Sequence, residues 1–185
     1  MNKRTASNAI VKAAKIAFQQ NGYHKTTVED IFQRANLSIE EFDDAIGSKE
    51  KCCLKVLKAY TADMKKKLAE YEENMNSRQR LSLYLDDFFD NADDIAENGS
   101  AMFNLYCALR NMDTDLSDAA EGLLNLQKNW IDEQFVNMLK TQSAVDQGDR
   151  LMAALHGLFF LACLKNDAAM FKSQIIQLKS WIRSM

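Results

Sequence analysis

Residues 8–38, NAIVKAAKIAFQQNGYHKTTVEDIFQRANLS, determine the fold that we expect for this chain. Apolar residues recur at helical spacing as far as Phe18, and the pair Asn21-Gly22 is typical of a helix end in the left-handed conformation. The pair Thr26-Thr27 followed by Glu29-Asp30 is typical of a capping box that opens a short helix. The stretch therefore predicts two consecutive helices.

A second capping signal follows a tight turn. Ser38, with Glu41 three residues later, predicts a third helix that ends near Gly47. Ser48 predicts the cap of a fourth helix, whose apolar residues step by three and four as far as Met75. Two short helices separated by a tight turn and braced by a preceding helix form the arrangement that places the second helix in the major groove of DNA.

Five more helices are expected in the rest of the chain. Proline is absent and there are only six glycines, so few residues interrupt a helix. The polar or glycine-bearing breaks predict helices at 78–97, 100–111, 116–141, 147–165 and 168–184. The expected fold class is all-α with about nine helices. We divide it into a helix-turn-helix head (1–47), a linker helix (48–75) and a body (76–185).

Composition excludes several classes of protein. The apolar residues occur in spaced groups rather than in one long span, and the four cysteines form no CxxC pattern, which is typical of a cytoplasmic protein without a membrane span. Two widely separated histidines and the lack of a phosphate-binding glycine loop leave no constellation for catalysis, a metal or a cofactor. We therefore do not expect an enzyme.

The head carries a set of residues whose types and spacing agree across four predicted helices. They are Ala13-Ala14, Phe18, Gly22-Tyr23, Thr26-Thr27-Val28, Asp30-Ile31, Ala35, Leu37-Ser38, Phe42 and Ser48-Lys49-Glu50. Over residues 8–57 this combination resembles the amino-terminal domain of TetR-family transcriptional regulators, and residues 99–124 and 154–162 resemble the family more loosely. The resemblance implies a homodimeric repressor whose last two helices pack against those of a second copy. It also implies that a small molecule bound in the body resets the spacing of the two heads.

The third helix departs from the family pattern. Where the family usually has glycine, tyrosine and histidine, this chain has Glu40, Asp43 and Ala45. Residues 1–50 contain seven basic and seven acidic residues, so the head has no formal net charge. Because neutralisation of phosphates supplies most non-specific affinity for DNA, we expect weak or unusually selective binding. Carboxylates can accept hydrogen bonds from cytosine amino groups, so DNA reading stays open. The alternative is an interaction protein that does not bind DNA, in which the acidic third helix binds a protein partner or leaves the head vestigial.

Three groups of candidate site residues follow. The expected DNA interface consists of Lys3, Arg4, Lys25, Thr27, Ser38, Ile39, Glu41, Asp43, Asp44 and Lys49, and His24 could also contact phosphate. A pocket for a small apolar or aromatic effector would use Phe88, Phe89, Met102, Phe103, Tyr106, Cys107, Trp130, Phe135 and Met138. Apolar residues at helical spacing are more often plain core, so only the resemblance favours this pocket. The expected dimer interface consists of Leu151, Leu155, Leu158, Phe159, Phe171, Ile175, Leu178 and Ile182.

Overall fold

The computed structural model describes residues 2–73, 76–112, 115–141 and 144–185, and these ranges contain helices but no strands. The helices are α1 (Lys3–Lys25), α2 (Val28–Arg34), α3 (Ile39–Ala45), α4 (Lys49–Glu72), α5 (Ser77–Asp90), α6 (Ala92–Asn98), α7 (Ala101–Leu109), α8 (Asp115–Leu139), α9 (Val145–Lys165) and α10 (Ala168–Ser184). The all-α fold class is confirmed. The predicted end of the linker helix, at Met75, lies outside the described residues.

The helix predicted at 78–97 is two helices, which brings the described total to ten. Asn91 separates α5 from α6 with φ −98° and ψ 19°. Its side-chain Nδ2 donates to the carbonyl oxygen of Asp87 at 2.7 Å, and its backbone N–H donates to the same oxygen at 3.2 Å. Asparagine competes for backbone hydrogen bonds in this way and so favours helix ends.

The predicted stop at Asn21-Gly22 is a break inside α1. Gly22 has φ 74° and ψ 164°, a conformation that costs glycine little because it has no Cβ atom. The buried hydroxyl of Thr26 donates to the carbonyl oxygens of Ala17 at 3.1 Å and Gly22 at 2.7 Å. Thr26 therefore holds the bend that leads into α2.

The chain forms two compact units. Residues 1–62 and 101–124 form the first, and residues 63–100 and 125–185 form the second. In the first unit, α1 packs against α2, α3 and α7. The head thus shares a unit with α7 and part of α8, two helices that the sequence places in the body. The fully buried side chains of this unit include Ile10, Phe18, Ile31, Phe42, Leu57, Leu109 and Leu123.

The second unit has a core rich in aromatic side chains, and α10 packs there against α5, α6 and α9. Of the eight residues predicted at the dimer interface, Leu178 is partly buried against this core. The other seven belong to the core and are between 0% and 9% exposed, namely Leu151, Leu155, Leu158, Phe159, Phe171, Ile175 and Ile182. These side chains are covered by other helices of their own chain, so their burial in the structure does not depend on a second copy. An all-round apolar helix such as α9 does not indicate from its sequence which face is covered.

Candidate nucleic-acid interface

Reciprocal capping boxes open both α2 and α3. The backbone N–H of Asp30 donates to Thr27 Oγ1 at 3.1 Å, while the N–H of Thr27 donates to Asp30 Oδ2 at 2.7 Å. In α3 the N–H of Glu41 donates to Ser38 Oγ at 3.3 Å, and the N–H of Ser38 donates to Glu41 Oε2 at 3.1 Å. Asn36, in the turn between the helices, has φ 57°, which asparagine tolerates better than most residues. Both capping signals in the sequence are thereby confirmed.

The inner face of the α2–α3 pair is fixed by burial. Ile31 from α2 and Phe42 from α3 are fully buried, and both helices pack against α1. The outer face of α3 presents five exposed residues, namely Ser38, Ile39, Glu40, Asp43 and Asp44. Thr27, which opens α2, is also exposed although its hydroxyl is committed to the cap. The pair therefore presents a short, rigid and mainly acidic surface.

The four carboxylates of α3 have different surroundings. Glu41 is held in the capping box. The Ser38 hydroxyl, followed by the helix's own backbone, holds the pKa of Glu40 below its usual value, because hydrogen bonds to a carboxylate favour its charged form. Asp44 lies 3.6 Å from Lys3 Nζ. Among the described residues, Asp43 alone of the four has no recorded hydrogen bond or ion pair, so it is the carboxylate least committed to the chain itself.

The predicted basic contacts also differ in availability. Arg4 and Lys25 are exposed. Lys3 is exposed and paired with Asp44. Lys49 is half-buried, with its Nζ atom 4.4 Å from the centre of the Tyr23 ring and 3.5 Å from the carbonyl oxygen of His24. The structure thus places Lys49 against the end of α1 as a brace, and leaves Arg4 and Lys25 as the less restrained cations.

A contact that the sequence did not reveal joins the end of α1 to α7 within the first unit. His24 Nε2 lies 3.1 Å from the carbonyl oxygen of Ala108. Carbonyl groups in the last turn of a helix have no partner within the helix, so this imidazole can donate to one of them. The residues are 84 positions apart, and no local pattern could have indicated the contact.

The nine residues predicted to line one effector pocket are divided between the two units. Met102, Phe103, Tyr106 and Cys107 lie on α7 in the first unit, whereas Phe88, Phe89, Trp130, Phe135 and Met138 lie in the second. In the second unit the Tyr84 ring packs against Phe88 and Trp130, with centroid distances of 5.0 and 5.7 Å. These aromatic side chains fill the core. Trp130 also lines a cleft of about 320 Å³ with Lys65, Leu68, Ala69, Glu72, Leu126, Asn129 and Glu133.

The cysteines of the first unit offer little chemistry where they are buried. Cys52 and Cys53 are both fully buried, and burial raises the pKa of each thiol to about 12. Cys107 is exposed.

In the described ranges, no three histidine, cysteine or acidic side chains are placed so that they could hold a metal ion. None of the helices in those ranges is long and apolar enough to cross a membrane.

A capped helix pair braced by a third helix, on a chain that is otherwise helical, defines a helix-turn-helix protein. Residues 10–42 match the family model described as bacterial regulatory proteins, tetR family. The resemblance seen in the sequence is therefore confirmed over these residues of the head.

Solved structures extend the likeness to the whole chain. A TetR-family transcriptional regulator from Agrobacterium tumefaciens is 18% identical, with a TM-score of 0.85 over 97% of this chain and 98% of that one. A TetR transcriptional regulator from Legionella pneumophila is 15% identical, with a TM-score of 0.82 over 95% and 94%. The reduced form of E. coli NemR is 14% identical, with a TM-score of 0.80 over 95% and 96%. Among curated protein sequences, none matches this chain. The chain has the fold of TetR-family transcriptional regulators.

Proposed function

We propose that this protein is a transcriptional regulator that binds operator DNA as a homodimer and is released from it by a small apolar or aromatic effector. The observation that carries the proposal is the rigid α2–α3 pair, whose two capping boxes and buried Ile31 and Phe42 leave the outer face of α3 exposed. That geometry is what a recognition helix requires. The match of residues 10–42 to the tetR family supports the same function.

The acidic face of α3 determines what kind of DNA reading is possible. Carboxylates accept hydrogen bonds from the amino group of cytosine, so Glu40 and Asp43 favour cytosine-bearing steps. The same charges are repelled by phosphates. Arg4 and Lys25, both exposed, provide the attraction to the DNA backbone. The ion pair between Lys3 and Asp44 is largely exposed, and such pairs are weak, so Lys3 can exchange Asp44 for a phosphate.

Fluorescence anisotropy with promoter fragments at low and high salt tests DNA binding. We expect binding at low salt with a shallow salt dependence, since each neutralised phosphate contributes a slope of about −0.9 and the head has few free cations. Arg4→Glu with Lys25→Glu should abolish it. Lys165→Glu, an exposed change of the same sign in the second unit, should leave it largely intact. If the folded wild-type protein binds no fragment at low salt, the proposal that it is a DNA-binding regulator is refuted.

The alternative function is recognition of a basic protein by the same face. It is favoured by the unpaired Asp43 and by the zero net charge of residues 1–50. The two functions differ in their response to neutralised acids on α3. Loss of the carboxylates strengthens binding to DNA, whereas it weakens binding to a basic protein surface.

The dimer interface that we propose uses the outer faces of the same two helices that the sequence indicated. On α9, Phe160, Leu161 and Leu164 are 65%, 38% and 67% exposed, and on α10 Ile176 is 51% exposed. A Cβ atom added at Gly157, one turn earlier on α9, would meet nothing within 4 Å. An apolar stripe of this kind at helical spacing marks a surface for another helix.

Light scattering of the purified protein tests the dimer. We expect a dimer for the wild type and a folded monomer for Phe160→Glu with Leu164→Glu. Ile16→Glu, a charge introduced at an exposed apolar residue of α1, is the matched control and should remain dimeric. A wild-type monomer at high protein concentration, or an unchanged mass for the double variant, would contradict the interface.

The effector is supported by the family resemblance alone. A true effector binds the DNA-free form more tightly, so by linkage it lowers the affinity for operator and raises the melting temperature of the free protein. Screening compounds by melting temperature and then by release of bound DNA tests this part. Compounds that stabilise the protein without releasing DNA would not qualify as effectors.

A further inference from the structure

A cleft of about 520 Å³ lies in the second unit, between the start of α5 and the end of α8. Its lining residues are Asn76, Ser77, Arg78, Arg80, Asn137, Met138 and Lys140. The volume falls within the range of about 300–1,000 Å³ typical of sites for small molecules. The cleft contains only one of the residues predicted to bind an effector, Met138, and it is polar where that predicted pocket is aromatic.

Among the described residues, the lining has three cations and no carboxylate, although the chain as a whole has a net charge of −3. Arg78 Nε donates to the carbonyl oxygen of Ile182 at 3.4 Å. Arg80 donates through Nη2 to the carbonyl oxygen of Glu72 at 3.1 Å and through Nη1 to Gln134 Oε1 at 3.4 Å. All three acceptors are neutral oxygen atoms, so these contacts position the guanidinium groups without cancelling their charge.

Ion pairing elsewhere in the protein makes this cluster distinctive. Within the described ranges, ion pairs are recorded for other lysines, among them Lys3, Lys66, Lys67, Lys128, Lys172 and Lys179. In the same ranges, Arg80 Nε is buried and has no hydrogen-bond partner. A buried guanidinium N–H without an acceptor is costly, and the positive charge of this group adds to the attraction of the cleft for an anion.

The side chains, rather than the helix dipoles, make the cleft positively charged. The start of α5 brings the positive end of one helix dipole, while the end of α8 brings the negative end of another, so the two contributions oppose each other. Lys140 follows α8 with φ 57°, and its N–H donates to the carbonyl oxygen of Val136 at 2.8 Å. The amide and hydroxyl groups of Asn76, Ser77 and Asn137 add neutral polar atoms around the three cations.

We propose that this cleft binds a small organic anion with at least two negative charges, carried by a phosphate group or by several carboxylates. Arginine presents paired N–H donors that match both kinds of anion. Hydrogen bonds between charged groups are also stronger than hydrogen bonds between neutral groups. The proposal does not depend on DNA binding. A head that binds no DNA would leave this site unaffected.

Calorimetric titration of the full chain at constant low ionic strength tests the proposal, with inorganic phosphate and citrate as separate probes. We expect saturable binding of at least one of them. Binding of phosphate alone assigns the site to a phosphorylated molecule, and binding of citrate alone assigns it to a polycarboxylate. Failure of both probes to bind at millimolar concentrations would overturn the proposal.

Variants show whether the anion occupies this cleft. Lys140→Gln and Arg78→Gln should each weaken binding about tenfold, the effect of losing one charge-assisted hydrogen bond. Lys140→Arg should retain most of the affinity. Lys165→Gln removes the same charge from an exposed site on α9 and should change little. Equal losses in Lys140→Gln and Lys165→Gln would mean that the anion responds only to net charge, and would equally overturn the site.

Discussion

Helices α3 and α9 are specified by different kinds of information. Helix α3 has seven residues, and its start is fixed by side chains that are close neighbours in the sequence, Ser38 and Glu41. Helix α9 has 21 residues, lacks a side-chain cap at its start, and is positioned by packing against α6 and α10. The outer face of α3 is charged and that of α9 is apolar. A local signal thus predicts where a helix begins, whereas for a helix that is apolar all round, such as α9, only distant contacts determine which face it buries.

The largest expected effect separates the two faces of α9 at neighbouring residues. Phe159 is 4% exposed and Phe160 is 65% exposed. Phe159→Ala should lower the free energy of unfolding by about 3–5 kcal/mol, because it removes a ring from a packed core. Phe160→Ala should have little effect on the monomer. Urea unfolding at several protein concentrations measures both.

The dependence on protein concentration distinguishes a residue buried within one chain from a residue buried between two chains. The loss in Phe159→Ala should persist at the lowest protein concentration, since it arises within one chain. The loss in Phe160→Ala should grow with concentration, because a dimer stabilises the folded state by mass action. If the loss in Phe160→Ala is the same at every protein concentration, Phe160 acts within its own subunit and the proposed interface is wrong.

The same contrast explains which features of the fold were predictable. The caps at Thr27 and Ser38 are formed with residues three positions away, so the sequence contains the whole interaction. The break at Asn91 is also local, but the sequence does not predict it, because asparagine also occurs on exposed helix faces. The sequence does not separate core residues of α9 from interface residues, because an apolar residue gives the same signal for burial within one chain and for burial between two chains.

The candidate site was predictable to a similar extent. The exposed face of α3 follows from the capping box and from the helical repeat. The contact between His24 and Ala108 joins residues 84 positions apart, and the position of Lys49 over Tyr23 depends on how α1 and α4 meet. Aromatic residues on two consecutive helices, such as Phe103 on α7 and Phe135 on α8, fall in different units.

The second-largest effect is expected when the acidic face of α3 is neutralised. Glu40→Gln, Asp43→Asn and Asp44→Asn together should strengthen non-specific DNA binding at least about tenfold at low salt, because a unit charge a few ångströms from a phosphate contributes up to about 1 kcal/mol even in water. The gain should shrink as added salt shortens the screening length. Anisotropy with a random-sequence duplex measures it.

A matched triple variant controls for net charge. Asp90→Asn, Glu97→Gln and Glu133→Gln remove three exposed carboxylates from the second unit. This variant should gain much less than the α3 variant. Equal gains would show that total charge, rather than the face of α3, governs affinity, and no gain in either would indicate that α3 does not approach DNA.

A smaller effect is expected at the start of α2. Thr27→Ala removes the side-chain acceptor for the N–H of Asp30 and should lower the free energy of unfolding by about 1 kcal/mol. Amide hydrogen exchange should be faster in α2 than in the wild type. Thr5→Ala, an exposed substitution within α1, is the control. A loss as small as that of the control would show that α2 is held by packing around Ile31 alone.

The smallest expected effect is the pH dependence of that cap. The backbone N–H of Thr27, and then its hydroxyl, hold the pKa of Asp30 below its usual value. A carboxyl group whose pKa is lowered on folding stabilises the protein above its unfolded pKa, and this contribution disappears as the pH falls through the folded value. The difference in unfolding free energy between wild type and Asp30→Asn should therefore be constant near neutral pH. It should decrease once the pH falls below about 4, the ordinary value for aspartate. In a Thr27→Ala background one of the two donors is gone while the N–H remains, so the decrease should be smaller and should begin at the same pH. An unchanged decrease in that background would assign the whole effect to the backbone N–H, and would mean that the hydroxyl of Thr27 contributes to the cap only as an acceptor.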